Sequence, residues 1–131
     1  MATGASISNY LEEKWLNLVL NGVAYAAPTG LTLHLYTAAP SDVGGGTEVV
    51  GGTYAAKACT TSFAVWADGV VSNDVAIDFG TATADWGLIT HFGVKDQLGN
   101  LLFWAALMNQ KNIAFGDGAN FAIGTLTAAL D

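Results

Sequence analysis

Past Gly22 the apolar residues of this chain recur with a period of two, and no later stretch carries a clean helical stripe. Leu31, Leu33 and Leu35 alternate with Thr32, His34 and Tyr36, and Val75, Ile77 and Phe79 alternate with Ala76 and Asp78. Each pattern is that of a strand with one buried face, because successive side chains point to opposite sides of a sheet. A parallel sheet needs helical crossovers, and these residues offer none. The expected fold is mainly β: a single-domain antiparallel β-sandwich or barrel of about seven strands with one N-terminal helix. Neither a domain boundary nor an internal repeat of fixed period is visible, so residues 1–131 read as one domain.

Turn chemistry separates the strands. Asp68-Gly69, between strand-like residues 55–66 and 70–72, is a strong hairpin signal. Gln97-Leu98-Gly99-Asn100 joins residues 87–95 to 101–107 in a second hairpin. The last strand is expected from about Asn120 to Leu130, with an apolar phase that slips at Gly124, as a bulge or a bend between sheets requires. Gly116-Asp117-Gly118-Ala119-Asn120 lacks the closing Glu of a calcium loop and reads as a tight turn.

The one helix is expected over residues 9–21. Asn9 stands in the capping position, with Glu12 three residues on, and Asn21-Gly22 supplies the stop. Leu11, Trp15, Leu18 and Val19 share one face, which either packs on the domain's own sheet or docks on a neighbour. The stretch from Ala38 to Thr53 reads as a long glycine-rich loop, too polar to hold itself rigid. Its glycines allow close backbone approach to another surface, and Pro40 limits the entropy lost on ordering. Asp42 and Glu48 make it acidic, suited to a basic patch on a partner. Pro40, Asp42, Gly44, Gly45, Gly46 and Glu48 are therefore the candidate partner-contact residues.

Composition narrows the partners. Apolar residues make up 52% of the chain and charged residues only 11%, less than half the share of an ordinary soluble domain. Much of the surface must then be neutral, which suits a protein covered in part by neighbours. Four Lys, no Arg and eleven acids give a net charge of −7. That sign argues against nucleic acid and against an anionic membrane surface. No apolar run is long enough to cross a membrane as a helix. Met1-Ala2-Thr3-Gly4-Ala5 lacks the basic and apolar regions of a secretory signal, so synthesis and folding in a cytoplasm are expected.

Catalytic chemistry is thin. Cys59 is the lone cysteine, sits in a strand-like stretch and has no motif around it. His34 and His91 lie in separate strands without metal-ligand spacing. Gly44-Gly45-Gly46-Thr47 lacks the lysine and the following helix of a phosphate loop. Trp15, Trp66, Trp86 and Trp104 read by default as core residues. No catalytic residue, metal or cofactor is expected.

A resemblance adds to this reading. Leu33-His34-Leu35-Tyr36-Thr37-Ala38-Ala39-Pro40-Ser41-Asp42 is followed by Gly44-Gly45-Gly46-Thr47-Glu48-Val49 and by Gly51-Gly52-Thr53-Tyr54-Ala55. These blocks resemble a family of small tailed-phage structural proteins. Ala82-Thr83-Ala84-Asp85-Trp86-Gly87, Ile89-Thr90-His91-Phe92-Gly93-Val94, Gly124-Thr125-Leu126-Thr127 and the leading Ser8-Asn9-Tyr10-Leu11-Glu12 continue the likeness in order. Members are variously described as tail-fibre-like, minor tail or head-decoration proteins, and the resemblance implies no catalytic residue. It implies a place in the virion, with the major capsid protein or tail proteins as partners. Neutral surface composition adds an expected homo-oligomer, most simply a closed ring. A compact domain without coiled-coil or repeat extension is short for a fibre shaft. That favours a capsid decoration or cement protein, with a tail or tail-fibre component as the alternative.

Overall fold

The computed structural model describes residues 6–129. Met1 to Ala5, on which the reading of the leader rests, and Leu130, the expected end of the last strand, lie outside the described residues.

Strand β1 (Ser6–Ile7) leads directly into helix α1 (Asn9–Asn21). The helix has the expected bounds, but Ser8 caps it rather than Asn9: the Ser8 Oγ accepts the Leu11 N–H at 3.2 Å. The cap is set by tertiary pairing, since the Ser8 N–H donates to the Leu102 carbonyl and holds that residue extended. Glu12 thereby leaves the capping-box position but stays in the first turn, where the helix dipole favours an acid. At the far end Gly22 adopts φ 64°, and the Val23 N–H closes back on the Asn17 carbonyl at 3.0 Å. The expected apolar face divides halfway. Leu11 is buried and Trp15 meets Phe103 edge-on at 6.2 Å, whereas Leu18 and Val19 are exposed. Only the first turns lie over the sheet.

The remaining strands are β2 (Thr32–Ala38), β3 (Thr47–Glu48), β4 (Lys57–Ala58), β5 (Val70–Ser72), β6 (Ile77–Thr81), β7 (Gly87–Lys95), β8 (Leu101–Ile113), β9 (Gly118–Phe121) and β10 (Thr127–Ala129). Among the described residues ten strands stand against about seven expected; the surplus is β1 and β3, two-residue strands too short to show a period, and the division of the last expected strand into β9 and β10. The main sheet runs β1-β8-β7-β2-β3, with β4 on β2 as well, and every pairing is antiparallel. The pairs β5/β10 and β6/β9 lie apart from it. The strands form an open two-layered sandwich, not a closed barrel.

The core fills the space between the layers. Leu33 and Leu35 of β2 pair with Val94 and Phe92 of β7, which pair in turn with Phe103 and Ala105 of β8. This face packs against Ile77 and Phe79 of β6, Phe121 of β9, and Leu126. Phe121 lies edge-on to both Phe92 and Phe79, each at 6.2 Å. Burying aromatic side chains of this size contributes a large part of the stability of so small a domain.

Two buried polar residues brace the corners. Asn73 donates its Nδ2 to the Val75 and Ala122 carbonyls and accepts the Leu126 N–H at 2.8 Å, tying the β5–β6 corner to the β9–β10 corner. Asp96 accepts from the Leu98 and Asn100 N–H groups and from Asn100 Nδ2, closing the 97–100 turn.

Several strand expectations change. Residues 55–66 form only β4 and a set of turns; the Asp68-Gly69 hairpin reduces to the bridges Ala67↔Val70 and Phe63↔Asn73. The reason is that β5 pairs with β10 instead of continuing that hairpin. The last strand splits into β9 and β10 at Gly124, φ 78°, so the phase slip marks a bend between sheets. Gly116, φ 88°, makes the expected tight turn, with Asp117 Oδ2 accepting the Ala114 N–H. Trp66 is exposed, contrary to its expected place in the core.

Candidate functional site

The stretch from Ala38 to Thr53 is folded, not slack. Ser41 and Gly44 exchange backbone hydrogen bonds across a tight turn, and β3 pairs with the end of β2. Pro40 is buried and Val49 belongs to the core. Gly46 sits at φ 79°, and a Cβ there would lie 2.8 Å from the Pro40 nitrogen and 2.9 Å from the Ala38 carbonyl oxygen. Only glycine fits that crossing. The loop escaped the expectation of slackness because its anchors come from distant strands.

Those anchors stand on the outer face of the main sheet. The registers place Thr32, His34 and Tyr36 of β2, His91, Gly93 and Lys95 of β7, and Trp104 of β8 on the face opposite the core. Trp104 Nε1 donates to Asp42 Oδ1 at 3.0 Å, and the Asn9 N–H donates to the Asp42 carbonyl. Asp42 therefore ties the loop both to β8 and to the start of α1. Glu48 is the second anchor. Its Oε2 bonds His34 Nδ1 and accepts the Tyr54 hydroxyl, each at 2.8 Å, and Lys95 Nζ stands 3.9 Å from Oε1. Tyr54 also accepts the Leu35 N–H, and burial raises its pKa well above the usual phenol value.

Between the loop and the 97–100 turn lies a cleft of about 520 Å³. Tyr10 and Glu13 of α1 form one wall, Asp42 to Gly45 another, and Lys95, Gly99 and Asn100 the third. Tyr36 lines it too, and its buried hydroxyl has no hydrogen-bond partner among the described residues. Burial, and then the Glu48 carboxylate, push the Tyr36 pKa up to about 12, so the group is a neutral phenol. Gly93 makes room for it: a Cβ there would lie 3.0 Å from Tyr36 Cε2.

Of the candidate contact residues, Asp42, Gly44 and Gly45 meet at this cleft, joined by the exposed Val43. Pro40 and Gly46 pack against each other behind the loop, and Glu48 is engaged on the sheet. Sequence reasoning missed Tyr36, Lys95, Asn100 and Trp104. The polar phase of β2 marked Tyr36 as facing away from the core, but only strand pairing shows what it faces.

The outer face carries one arrangement with the connectivity of a hydrolase triad. Thr32 Oγ1 lies 2.8 Å from His34 Nε2, and His34 Nδ1 lies 2.8 Å from Glu48 Oε2. Its surroundings are those of a brace. Thr32 pairs with both Lys95 and Ala58, which places it inside the ladders, and neither Thr32 nor His34 lines the cleft. His91 bonds Thr90 Oγ1 through Nδ1, and burial lowers its pKa. Cys59 is buried in the core, and burial raises its thiol to about 11, so it is a small apolar filler. Among the described residues no three His, Cys, Asp or Glu are grouped to hold a metal ion.

A family model described as podophage GP4 fiber I protein gp80 matches residues 6–129, the whole described part of the chain. A comparison with curated proteins returns no match. With its β-sandwich, its single leading helix and a family match running from β1 to β10, the chain belongs to the podophage fiber I protein gp80 family of tailed-phage structural proteins.

Proposed function

We propose that the chain is a non-enzymatic structural subunit of the podophage tail-fibre apparatus, joining virion parts on the tail side of the particle. The family match over residues 6–129 carries this reading. It outweighs the argument from length, which favoured a decoration protein bound to major capsid subunits only because the chain is short for a fibre shaft. A subunit that joins parts needs contact surfaces rather than a shaft of its own.

The cleft beneath the glycine-rich loop is the proposed contact with another virion protein. Asp42 is held by Trp104 and the turn is closed by Ser41 and Gly44, so Val43 is presented on a prearranged tip. Prearrangement lowers the entropy lost on docking. Quantifying the chain in purified particles, with gold labelling in electron micrographs, tests both statements. The expected result is a small copy number with label at the tail, and reduced incorporation of a folded Val43→Arg variant. Hundreds of copies spread over the head would establish the decoration reading instead. Full incorporation of Val43→Arg would move the contact elsewhere.

A further inference from the structure

Tyr36 is only 2% exposed, and a hydroxyl so buried ordinarily has a hydrogen-bond partner. This one meets none among the described residues. Tyr36 lines the cleft between the glycine-rich loop and the 97–100 turn, so the cleft is where a partner from outside can reach it. Gly93 keeps that place open, since a Cβ there would stand 3.5 Å from the hydroxyl. The surrounding charge has a sign. Glu13 and Asp42 stand on two of the walls, and Lys95 is the one cation among the described lining residues. Lys95 is drawn toward Glu48, its Nζ 3.9 Å from Oε1, and Lys14 rests over the Tyr10 ring outside the wall. Behind the 97–100 wall the buried Asp96 is bonded to amide groups, not to a cation. The Glu48 carboxylate also acts on Tyr36 and adds to the rise of its pKa, as a negative field at the hydroxyl requires.

We propose that this cleft receives an arginine side chain of a different virion protein, with its guanidinium between Glu13, Asp42 and the Tyr36 hydroxyl. The inference rests on the reading of the cleft as a contact with another virion protein, and names what that protein brings. A guanidinium carries five N–H donors in a rigid fork and no acceptor. It can meet two carboxylates and a phenol oxygen at once, whereas an ammonium is a point charge on a flexible stem. Asp42 engages Trp104 through Oδ1, and a carboxylate accepts at both oxygens. The volume, about 520 Å³, is that of a cleft able to enclose a side chain of this size. The donor is not a second copy of this chain, which has four lysines and no arginine.

Titrating the full chain with N-acetyl-arginine amide, followed by amide chemical shifts, tests it. Saturable movement is expected at Tyr36, Gly44, Gly45 and Gly99, with half-saturation on the order of 1–10 mM, as suits a ligand this small. The citrulline counterpart has the same shape without the charge and should bind at least roughly tenfold more weakly. Glu13→Gln and Tyr36→Phe should each keep the melting temperature close to the parent's while raising the half-saturation point roughly three- to tenfold. No saturable movement overturns the proposal. Equal binding of the citrulline compound overturns it too, as do two variants that both bind like the parent. Particles carrying Val43→Arg separate this failure from failure of the contact itself. Reduced incorporation beside a silent cleft keeps the contact and removes the arginine. Full incorporation removes the contact, and the proposal with it.

Discussion

On the inner face of the β2–β7–β8 ladder, Leu33, Leu35, Phe92, Val94 and Ala105 are buried among apolar neighbours. On the outer face the residues between them are held by directional bonds: His34 to Glu48, His91 to Thr90, and Trp104 to Asp42. The same strands thus meet two different demands. Apolar burial is non-directional and scales with area, so the inner face tolerates detail and supplies stability. Hydrogen bonds contribute little net stability each, but they fix position, because a buried group that loses its partner is costly. The outer face accordingly fixes where the glycine-rich loop lies, and with it the shape of the cleft.

The largest expected effect breaks the inner face. Phe92→Ala removes a ring packed edge-on to Phe121 and should cost about 3–5 kcal/mol in urea unfolding. A drop of roughly 10 °C or more in melting temperature should accompany it. A loss under about 1 kcal/mol would mean that the two layers are not joined through this ring.

A smaller effect should separate the faces. Glu48→Ala strips the acceptor from both His34 and Tyr54 and should cost about 1–3 kcal/mol, toward the lower end because Glu48 remains partly open to water. Its sharper signature is local. Amide exchange over residues 41–49 should quicken while the β7–β8 ladder stays protected. Uniform acceleration across the domain would show that the outer network is part of the core's cooperativity rather than a brace for the loop.

The smallest effect tests a buried hydroxyl on the outer face that has no hydrogen-bond partner among the described residues. Tyr36→Phe deletes a buried hydroxyl that bonds to nothing among the described residues, and should change stability by less than about 0.5 kcal/mol or raise it. A loss of more than about 1 kcal/mol would reveal an ordered water or ligand on that hydroxyl, since a satisfied buried group loses about that much when removed. The cleft would then bind small polar molecules in its own right.

Local pattern by itself determined the helix over residues 9–21, the alternation of β2 and β6, the β7–β8 hairpin and the break at Gly124. These rest on period, turn chemistry and capping, which act over a few residues and leave their signal in the sequence. Tertiary structure decided the rest. Ser8 became the cap because β1 pairs with β8, and residues 55–66 lost their hairpin because β5 found β10. The loop became ordered because Asp42 and Glu48 found Trp104, His34 and Tyr54 on other parts of the chain. A residue type states what kind of partner it needs. Which partner it meets depends on register between strands distant in sequence, and no local pattern carries that.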